Sequence, residues 1–504
     1  MSRTIGLLFL AAATVCAAGP VSVKLSPTLQ GAWRPGWPVA LRVFVANEGE
    51  ALDGLLDVVV EGVTYRQPVQ VGARTSAVAE ALVAARSEGA RARVVVRSTR
   101  GEVLCEKALG LGLRRLEASM GLVAAVGSDS AAARGLFGGA AAVVAPGELP
   151  TASAGYAALD ALAVAGDGAD VSAAARAAVG DWVRGGGVAG FLLSDGQPVG
   201  TGSLLAELAE CAGRPTAQEW LAAVAGRAAT RRLNGGLTWR LGLGSVAVGD
   251  KEVVREGLFL WLVAGPGDRD VWVDKGVVGS FAEARWTGPV RGRLAGGAVA
   301  LLVAGALVMR LVPRRWGRLA AVALAFGVAA GLALAAWGLM LPAGKGVLEV
   351  AAVAERAPGQ PGERRTELVC LGATGRTHAR LDFGAAEAVV PFYYSAEEVG
   401  AMQGTVLSRD AAGRWTADCE LSGAMRRCFA VWWPWRGSAG SEPSAGPEDA
   451  QGKGQQALVD WQRRRADGAR KSRVRWAAEG RSITQGSGLL EATVRPTLVW
   501  TETE

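Results

Sequence analysis

The sequence predicts a multidomain protein of the α/β plus β class that carries two transmembrane helices. At 504 residues the chain is too long for one core, because domains usually hold ~100–200 residues. Short alternating runs near both ends predict β-rich domains, whereas longer apolar runs and a helix between them predict a parallel sheet. Two long apolar stretches then follow. Each is about the length that spans a bilayer.

We expect these elements in a fixed order along the chain. They are a signal peptide (1–18), a β-sandwich (19–113), an α/β parallel-sheet domain (114–290), transmembrane helices (294–312 and 319–341), and a C-terminal β-rich domain (346–504) with a linker at 437–454.

The composition excludes a disordered chain and disfavours most imidazole chemistry. Half of the residues are hydrophobic, 20% are charged, and the mean hydropathy is +0.22. The formal net charge of +7 comes mostly from Arg. A single histidine disfavours zinc sites built from several His and Ser–His relays.

The first 18 residues have the three-part layout of a secretory signal peptide. Arg3 precedes an apolar core at residues 5–13, and cleavage is expected after Ala17 or Ala18. Lipidation of Cys16 and an uncleaved anchor are the alternatives.

Residues 294–312 and 319–341 predict a helical hairpin in a membrane. The second segment carries no charge, and the connection at 313–318 is short and basic. The positive-inside rule places this connection in the cytoplasm and both large flanks outside it. Gly327 and Gly331 form a small-residue step that suits helix packing. The alternative is a buried helical hairpin in a soluble core.

Residues 19–113 contain alternating runs separated by turn signals, which predict a β-sandwich. The string from Trp33 and Trp37 to Asn47 and Gly49 resembles the immunoglobulin-like (Ig-like) module that opens many uncharacterised bacterial envelope proteins. Packing of the two tryptophans is preferred here over a role as stacking platforms for a ligand.

Residues 114–290 change to the pattern of buried parallel strands with a crossover helix. Ser172 is expected to cap a helix that runs to Arg184 and ends at a run of three glycines. Two strings, Tyr156 to Asp160 and Asp181 to Gly187, resemble the signature of class I glutamine-amidotransferase-like domains in bacterial membrane proteins, and residues 242–246 match the strand that follows. The resemblance implies an amidotransferase-like fold.

The residues needed for amidotransferase activity do not follow from this resemblance. No cysteine lies between glycines as a nucleophile elbow requires, and the only histidine, His378, is in the C-terminal domain. The sequence therefore predicts a non-catalytic relative.

Four carboxylates form a candidate ligand site, because they fall at or after predicted strand ends, where open α/β sheets bind ligands. They are Asp160, Asp167, Asp170 and Asp195. Helix capping and turn formation explain Asp167 and Asp170 equally well.

The C-terminal domain is expected to be a small β-sandwich. Cys419 and Cys428 flank a hairpin expected at residues 421–425 and are the candidate disulfide, whereas Cys105, Cys211 and Cys370 are expected to be buried thiols.

We expect a non-enzymatic, membrane-anchored envelope protein that acts through protein–protein contacts, as an accessory subunit of an envelope or transport assembly. Its partners would be the lipid bilayer and envelope proteins, without nucleic acid, metal or cofactor. The expected location is the bacterial inner membrane, with both large domains on the extracytoplasmic side. One alternative is a module that binds a small ligand or metal at the strand ends of the α/β domain. The other is a cryptic hydrolase or amidotransferase that uses Cys211 or a carboxylate pair.

Overall fold

A computed structural model gives the fold. The structure describes residues 20–34, 37–115, 122–127, 141–193, 199–209, 230–233, 236–242, 244–249, 254, 346–356, 362–373, 377–392, 402–421, 426–436, 472–477, 482–485, 489–493 and 497–503. The predicted signal peptide, both predicted transmembrane segments with Gly327 and Gly331, and the predicted linker lie outside these ranges.

The predicted fold class is wrong, because strands dominate the structure. The described ranges contain 27 β-strands and two α-helices. Within them, no helix is long and apolar enough to cross a bilayer. The predicted α/β parallel domain is instead a mixed sheet with antiparallel strands at one edge. The reason is local: the buried Leu237, Trp239 and Leu241 alternate with less buried residues, as in an antiparallel strand with one buried face, whereas strands of a parallel sheet are continuous apolar runs.

The N-terminal region is an Ig-like β-sandwich. Its strands are β1 (Val21–Pro27), β2 (Ala32–Trp33), β3 (Pro38–Asn47), β4 (Leu52–Val60), β5 (Val63–Val71), β6 (Thr75–Ala84), β7 (Arg91–Ser98), β8 (Val103–Gly110) and β9 (Arg114–Arg115). Sheet β1-β3-β6 packs on the antiparallel strands β5-β4-β7-β8, while β2 and β9 pair separately. Inward-facing valines such as Val43, Val58 and Val94 are fully buried, as the period of two along each strand requires.

The middle region is a seven-stranded sheet with order β11-β10-β12-β13-β16-β15-β14. Its elements are β10 (Val123–Val126), β11 (Ala141–Val144), β12 (Ala161–Ala165), α1 (Ala173–Arg184), β13 (Val188–Leu192), α2 (Leu204–Leu208), β14 (Thr230–Leu233), β15 (Gly236–Leu241) and β16 (Gly244–Gly249). The first five strands of the sheet are parallel, and β15 and β14 are antiparallel.

The helix predicted after Ser172 is confirmed. The Ser172 hydroxyl accepts the Ala175 N–H at 3.3 Å and caps α1. The Gly185 N–H donates to the Asp181 carbonyl at the helix end. Val179 and Val183 form the buried face of α1.

The C-terminal region adds eleven strands. They are β17 (Gly346–Arg356), β18 (Glu363–Ala373), β19 (Thr377–Gly384), β20 (Ala388–Phe392), β21 (Val406–Arg409), β22 (Trp415–Leu421), β23 (Arg426–Arg436), β24 (Ser472–Ala477), β25 (Ser482–Gln485), β26 (Leu489–Thr493) and β27 (Thr497–Thr503). Six of them form the sheet β20-β23-β18-β17-β27-β24.

The other five strands extend the N-terminal sandwich. The nine-stranded sheet runs β25-β26-β19-β22-β21-β5-β4-β7-β8, and β21 lies parallel to β5 with Leu407 opposite Tyr65. The Thr64 N–H donates to the Thr405 carbonyl at 2.9 Å at this seam. Val58 and Phe429 belong to one apolar core. The regions before and after residues 116–345 therefore share a sheet and a core.

Candidate functional site

A cleft lies where the sandwich, the middle sheet and the C-terminal strands meet. Its cavity volume is about 60 Å³, and it is rich in tryptophan and arginine. The tryptophan and arginine side chains that line it are Trp37, Trp182, Trp432, Trp433, Trp435, Arg34, Arg364 and Arg365. We call this feature the junction cleft.

The first wall of the junction cleft is a buried ion pair between two regions. Arg34, directly after β2, meets Asp160, directly before β12, through N–O contacts of 3.2 and 2.5 Å. The Leu122 N–H also donates to Asp160 at 2.7 Å. The two side chains are 8% and 3% exposed. This bidentate geometry joins the Ig-like sandwich to the middle sheet.

The second wall is the end of α1 and the glycines that follow it. The rings of Tyr156 and Trp182 lie 5.7 Å apart, and a Cβ added at Gly187 would come within 2.4 Å of the Trp182 ring. A Cβ at Gly244 would lie 2.1 Å from the carbonyl oxygens of Gly187 and Val183. These glycines are therefore required by close packing.

The third wall comes from β18 and β23. Arg364 donates to the Gly185 carbonyl at 2.9 Å and ties β18 to the end of α1. Arg365 forms a 2.7 Å ion pair with Glu367 and lies 5.4 Å from the centre of the Trp433 ring. Burial raises the pKa of the Glu367 carboxyl, and the Arg365 charge opposes this rise.

Two further carboxylates join the same regions beside the junction cleft. Glu387 accepts hydrogen bonds from the Ser153 N–H and hydroxyl, and Glu80 of β6 accepts the Thr151 N–H at 2.9 Å. Burial raises the pKa of both carboxyls, while the hydrogen bonds lower it. The segment at residues 151–153 is thus held from both sides.

The four predicted ligand residues do not come together in the structure. Asp160 is used in the ion pair, at the amino end of β12. Asp167 lies beyond the carboxyl end of β12 and accepts the N–H groups of Ala169 and Gly200 at 3.1 and 2.7 Å. Asp170 is exposed, and Asp195 lies outside the described residues. Within the described residues, no group of three or more His, Cys, Asp or Glu could hold a metal ion.

The two cysteines of the predicted disulfide belong to different sheets. Cys419 is on β22, opposite Ala379, and Cys428 is on β23, opposite Cys370. β22 and β23, expected to be the arms of a hairpin around residues 421–425, do not pair with each other.

His378 lies on β19 with 54% of its side chain exposed, 3.9 Å from the Asp418 carboxylate.

Sequence reasoning missed the wall of the junction cleft formed by β18 and β23. The signal available was three tryptophans among four residues of a single strand: Trp432, Trp433 and Trp435.

No protein-family model matches this chain, and no curated protein matches it. Among solved structures, it is similar to the CARDB domain of a Pyrococcus furiosus protein in complex with di-metal ions, at 17% identity and a TM-score of 0.17. This similarity covers 20% of this chain and 97% of that one. It is also similar to a mutant β-glucosidase from Listeria innocua in complex with laminaribiose, at 13% identity and a TM-score of 0.14, covering 19% of this chain and 17% of that one. At these TM-scores neither similarity supports a statement about function.

Proposed function

We propose that this chain is a non-enzymatic, extracytoplasmic protein of the bacterial envelope that binds a protein partner through the junction cleft. The observation that carries the proposal is the gathering of five tryptophans and three arginines in one cleft at the meeting point of three regions. Tryptophan and arginine are the residue types most enriched among those that dominate protein–protein binding energy.

The size of the junction cleft favours a protein partner over a small ligand. Its volume of about 60 Å³ is well below the ~300–1,000 Å³ typical of small-molecule pockets. A space of this size suits part of one anchoring side chain of a partner, with the partly exposed side chains of Trp433, Trp435 and Arg364 as the contact surface. The alternative ligand site at the strand ends has lost Asp160 to its ion pair with Arg34.

The walls of the junction cleft are held in place before any partner binds. Arg34 with Asp160, Arg364 with the Gly185 carbonyl, and Glu387 with Ser153 each join two regions of the chain. A surface held in this way loses little conformational entropy on binding, which favours affinity.

The extracytoplasmic location is supported by the shared nine-stranded sheet. Residues 20–115 and 346–503 contribute to one sheet and one core, so they lie in the same compartment. The export signal predicted at the N-terminus would therefore determine the compartment of both regions. An alkaline-phosphatase fusion at Gly346 should be active, and an inactive fusion would contradict this location.

We also propose that this chain is related to envelope proteins that carry a degenerate amidotransferase-like module. This relationship is supported by the contacts among the residues that carry it, since Tyr156, Trp182, Gly187 and Gly244 pack together at the end of α1. These contacts give the shared residues a structural role without catalysis.

The test replaces Trp435 by p-benzoylphenylalanine and irradiates intact cells. We expect a crosslink to one protein in near-stoichiometric amount. In a parallel affinity purification from mild detergent, the amount of that partner recovered with Trp435→Ala should be at least ten-fold lower than with the wild type. Arg93→Ala, on an exposed strand position of the sandwich, should keep it. The proposal fails if the protein is always recovered alone, or if Trp435→Ala retains the partner at a normal melting temperature.

A further inference from the structure

Two buried cysteines face each other across β18 and β23. Cys370 and Cys428 are directly opposite in the antiparallel register, and each is 8% exposed. Their Sγ atoms lie 2.7 Å apart, closer than two unbonded sulfur atoms approach, although the structure records no bond between them. The strands on both sides of this pair hold it in register, because β18 also pairs with β17 and β23 also pairs with β20.

We propose that Cys370 and Cys428 form a disulfide bond in the native protein. Directly opposed residues of antiparallel strands have Cα atoms ~4.5–5.5 Å apart, within the ~4.4–6.8 Å that a disulfide requires. The bond therefore needs no rearrangement of the two backbones. The proposal rests on the extracytoplasmic location proposed above, because structural disulfides persist in oxidising compartments.

The bond forms by exchange with the disulfide of an envelope thiol oxidoreductase. One cysteine, as a thiolate, attacks that disulfide, which gives a mixed disulfide and releases one thiolate of the oxidoreductase. The second cysteine then attacks the mixed disulfide, forms the Cys370–Cys428 bond and leaves the oxidoreductase as a dithiol. Two electrons and two protons pass from this chain to the oxidoreductase. Because both thiols are buried in the final fold, the exchange takes place during folding, before β18 and β23 are packed into the structure.

The other described cysteines are poor competitors for this pairing. Cys419 is fully buried on β22, opposite Ala379, in a different sheet from Cys370 and Cys428. Cys105 lies on β8 of the sandwich, opposite Val96. Cys428 thus has one cysteine within bonding reach among the described residues, and it is Cys370.

Tryptic peptides separate the possible pairings. Cleavage after Arg and Lys puts Cys370 in peptide 366–376, Cys419 in peptide 415–426 and Cys428 in peptide 428–436. The full-length protein is isolated from its own cells with N-ethylmaleimide present throughout, digested without reductant, and analysed by mass spectrometry. We expect a linked species of peptides 366–376 and 428–436 that disappears on reduction. Cys419→Ser is the matched control and should keep this species, whereas Cys370→Ser and Cys428→Ser should each lose it.

A second arm denatures and reduces the purified protein, so that both thiols are accessible, and refolds it in the presence of oxidised glutathione before digestion. Absence of the 366–376/428–436 species in this arm, or linkage of 415–426 to 428–436, overturns the pairing. Linkage in the glutathione arm but not in protein from cells overturns the native disulfide and the location on which it rests. Neither result affects the crosslink at Trp435, so failure of the disulfide and failure of the partner proposal are distinguishable.

Discussion

The buried ion pair between Arg34 and Asp160 offers a direct test of how the sandwich is joined to the middle sheet. Asp160→Asn keeps the size of the side chain and removes its charge. The asparagine oxygen can still accept the Leu122 N–H, but its amide nitrogen turns a donor toward the guanidinium. With the two side chains 8% and 3% exposed, water cannot replace the lost carboxylate. Breaking a buried pair in this way costs ~3–5 kcal/mol.

Urea denaturation of the full-length protein measures this loss. With a slope of about 3 kcal/mol per molar urea, the midpoint should fall by ~1–1.7 M. The matched control is Glu106→Gln, which breaks the exposed 3.3 Å pair with Arg93 and should cost at most ~1 kcal/mol. The double variant Arg34→Met with Asp160→Leu should recover only part of the loss. An apolar pair of similar volume often replaces a buried ion pair without penalty, but leucine at 160 removes the acceptor of the Leu122 N–H. If Asp160→Asn loses no more than Glu106→Gln, the ion pair does not hold the regions together.

Three further predictions concern packing, pH and assembly. Gly244→Ala should lower the free energy of unfolding by ~1–3 kcal/mol or more through overpacking, because its Cβ would lie 2.1 Å from two carbonyl oxygens. The control Gly89→Ala, whose Cβ would have nothing within 4 Å, should melt like the wild type. Equal melting temperatures of the two variants would contradict the packing at Gly244. Burial raises the pKa of Glu387, so its contribution to stability is fully present below about pH 4.5 and is lost as the pH rises through the raised value. The melting temperature of Glu387→Gln relative to wild type should therefore increase from pH 5 to pH 8, and a constant difference would contradict this. A fragment of residues 20–115 leaves β5 as an open sheet edge and lacks part of the shared core. It should melt at a lower temperature than the full chain and form oligomers in size-exclusion chromatography. A monomeric fragment of equal stability would refute the shared core.

Local structure could be predicted from the sequence where short-range chemistry determines it. The helix that begins after Ser172 has a capping hydroxyl, an apolar face at Val179 and Val183, and a glycine stop, all within sixteen residues. The Ig-like sandwich follows from alternating strands and nearby turns, and its antiparallel partners are close in the chain.

The shared nine-stranded sheet could not be predicted in this way. Its seam pairs Tyr65 with Leu407, and no periodicity along either strand specifies a partner more than 300 residues away. Each strand alone fits a separate sandwich. The prediction of two independent β-rich regions used only local patterns, which leave the edge strands β5 and β21 without assigned neighbours.

The candidate site was predicted at Asp160, and the structure gives that residue a different role. A carboxylate beside a strand fits a ligand site or a buried ion pair equally well on sequence grounds, because the deciding partner, Arg34, is 126 residues away. The same ion pair also connects the two sequence strings that carry the family resemblances. Arg34 lies between Trp33 and Trp37 of the Ig-like string, and Asp160 ends the string that begins at Tyr156. The two strings meet through this ion pair, and the junction cleft is lined by residues of both. Their joint occurrence is therefore accounted for by the contact that joins the sandwich to the middle sheet, and a catalytic role is not needed to explain it.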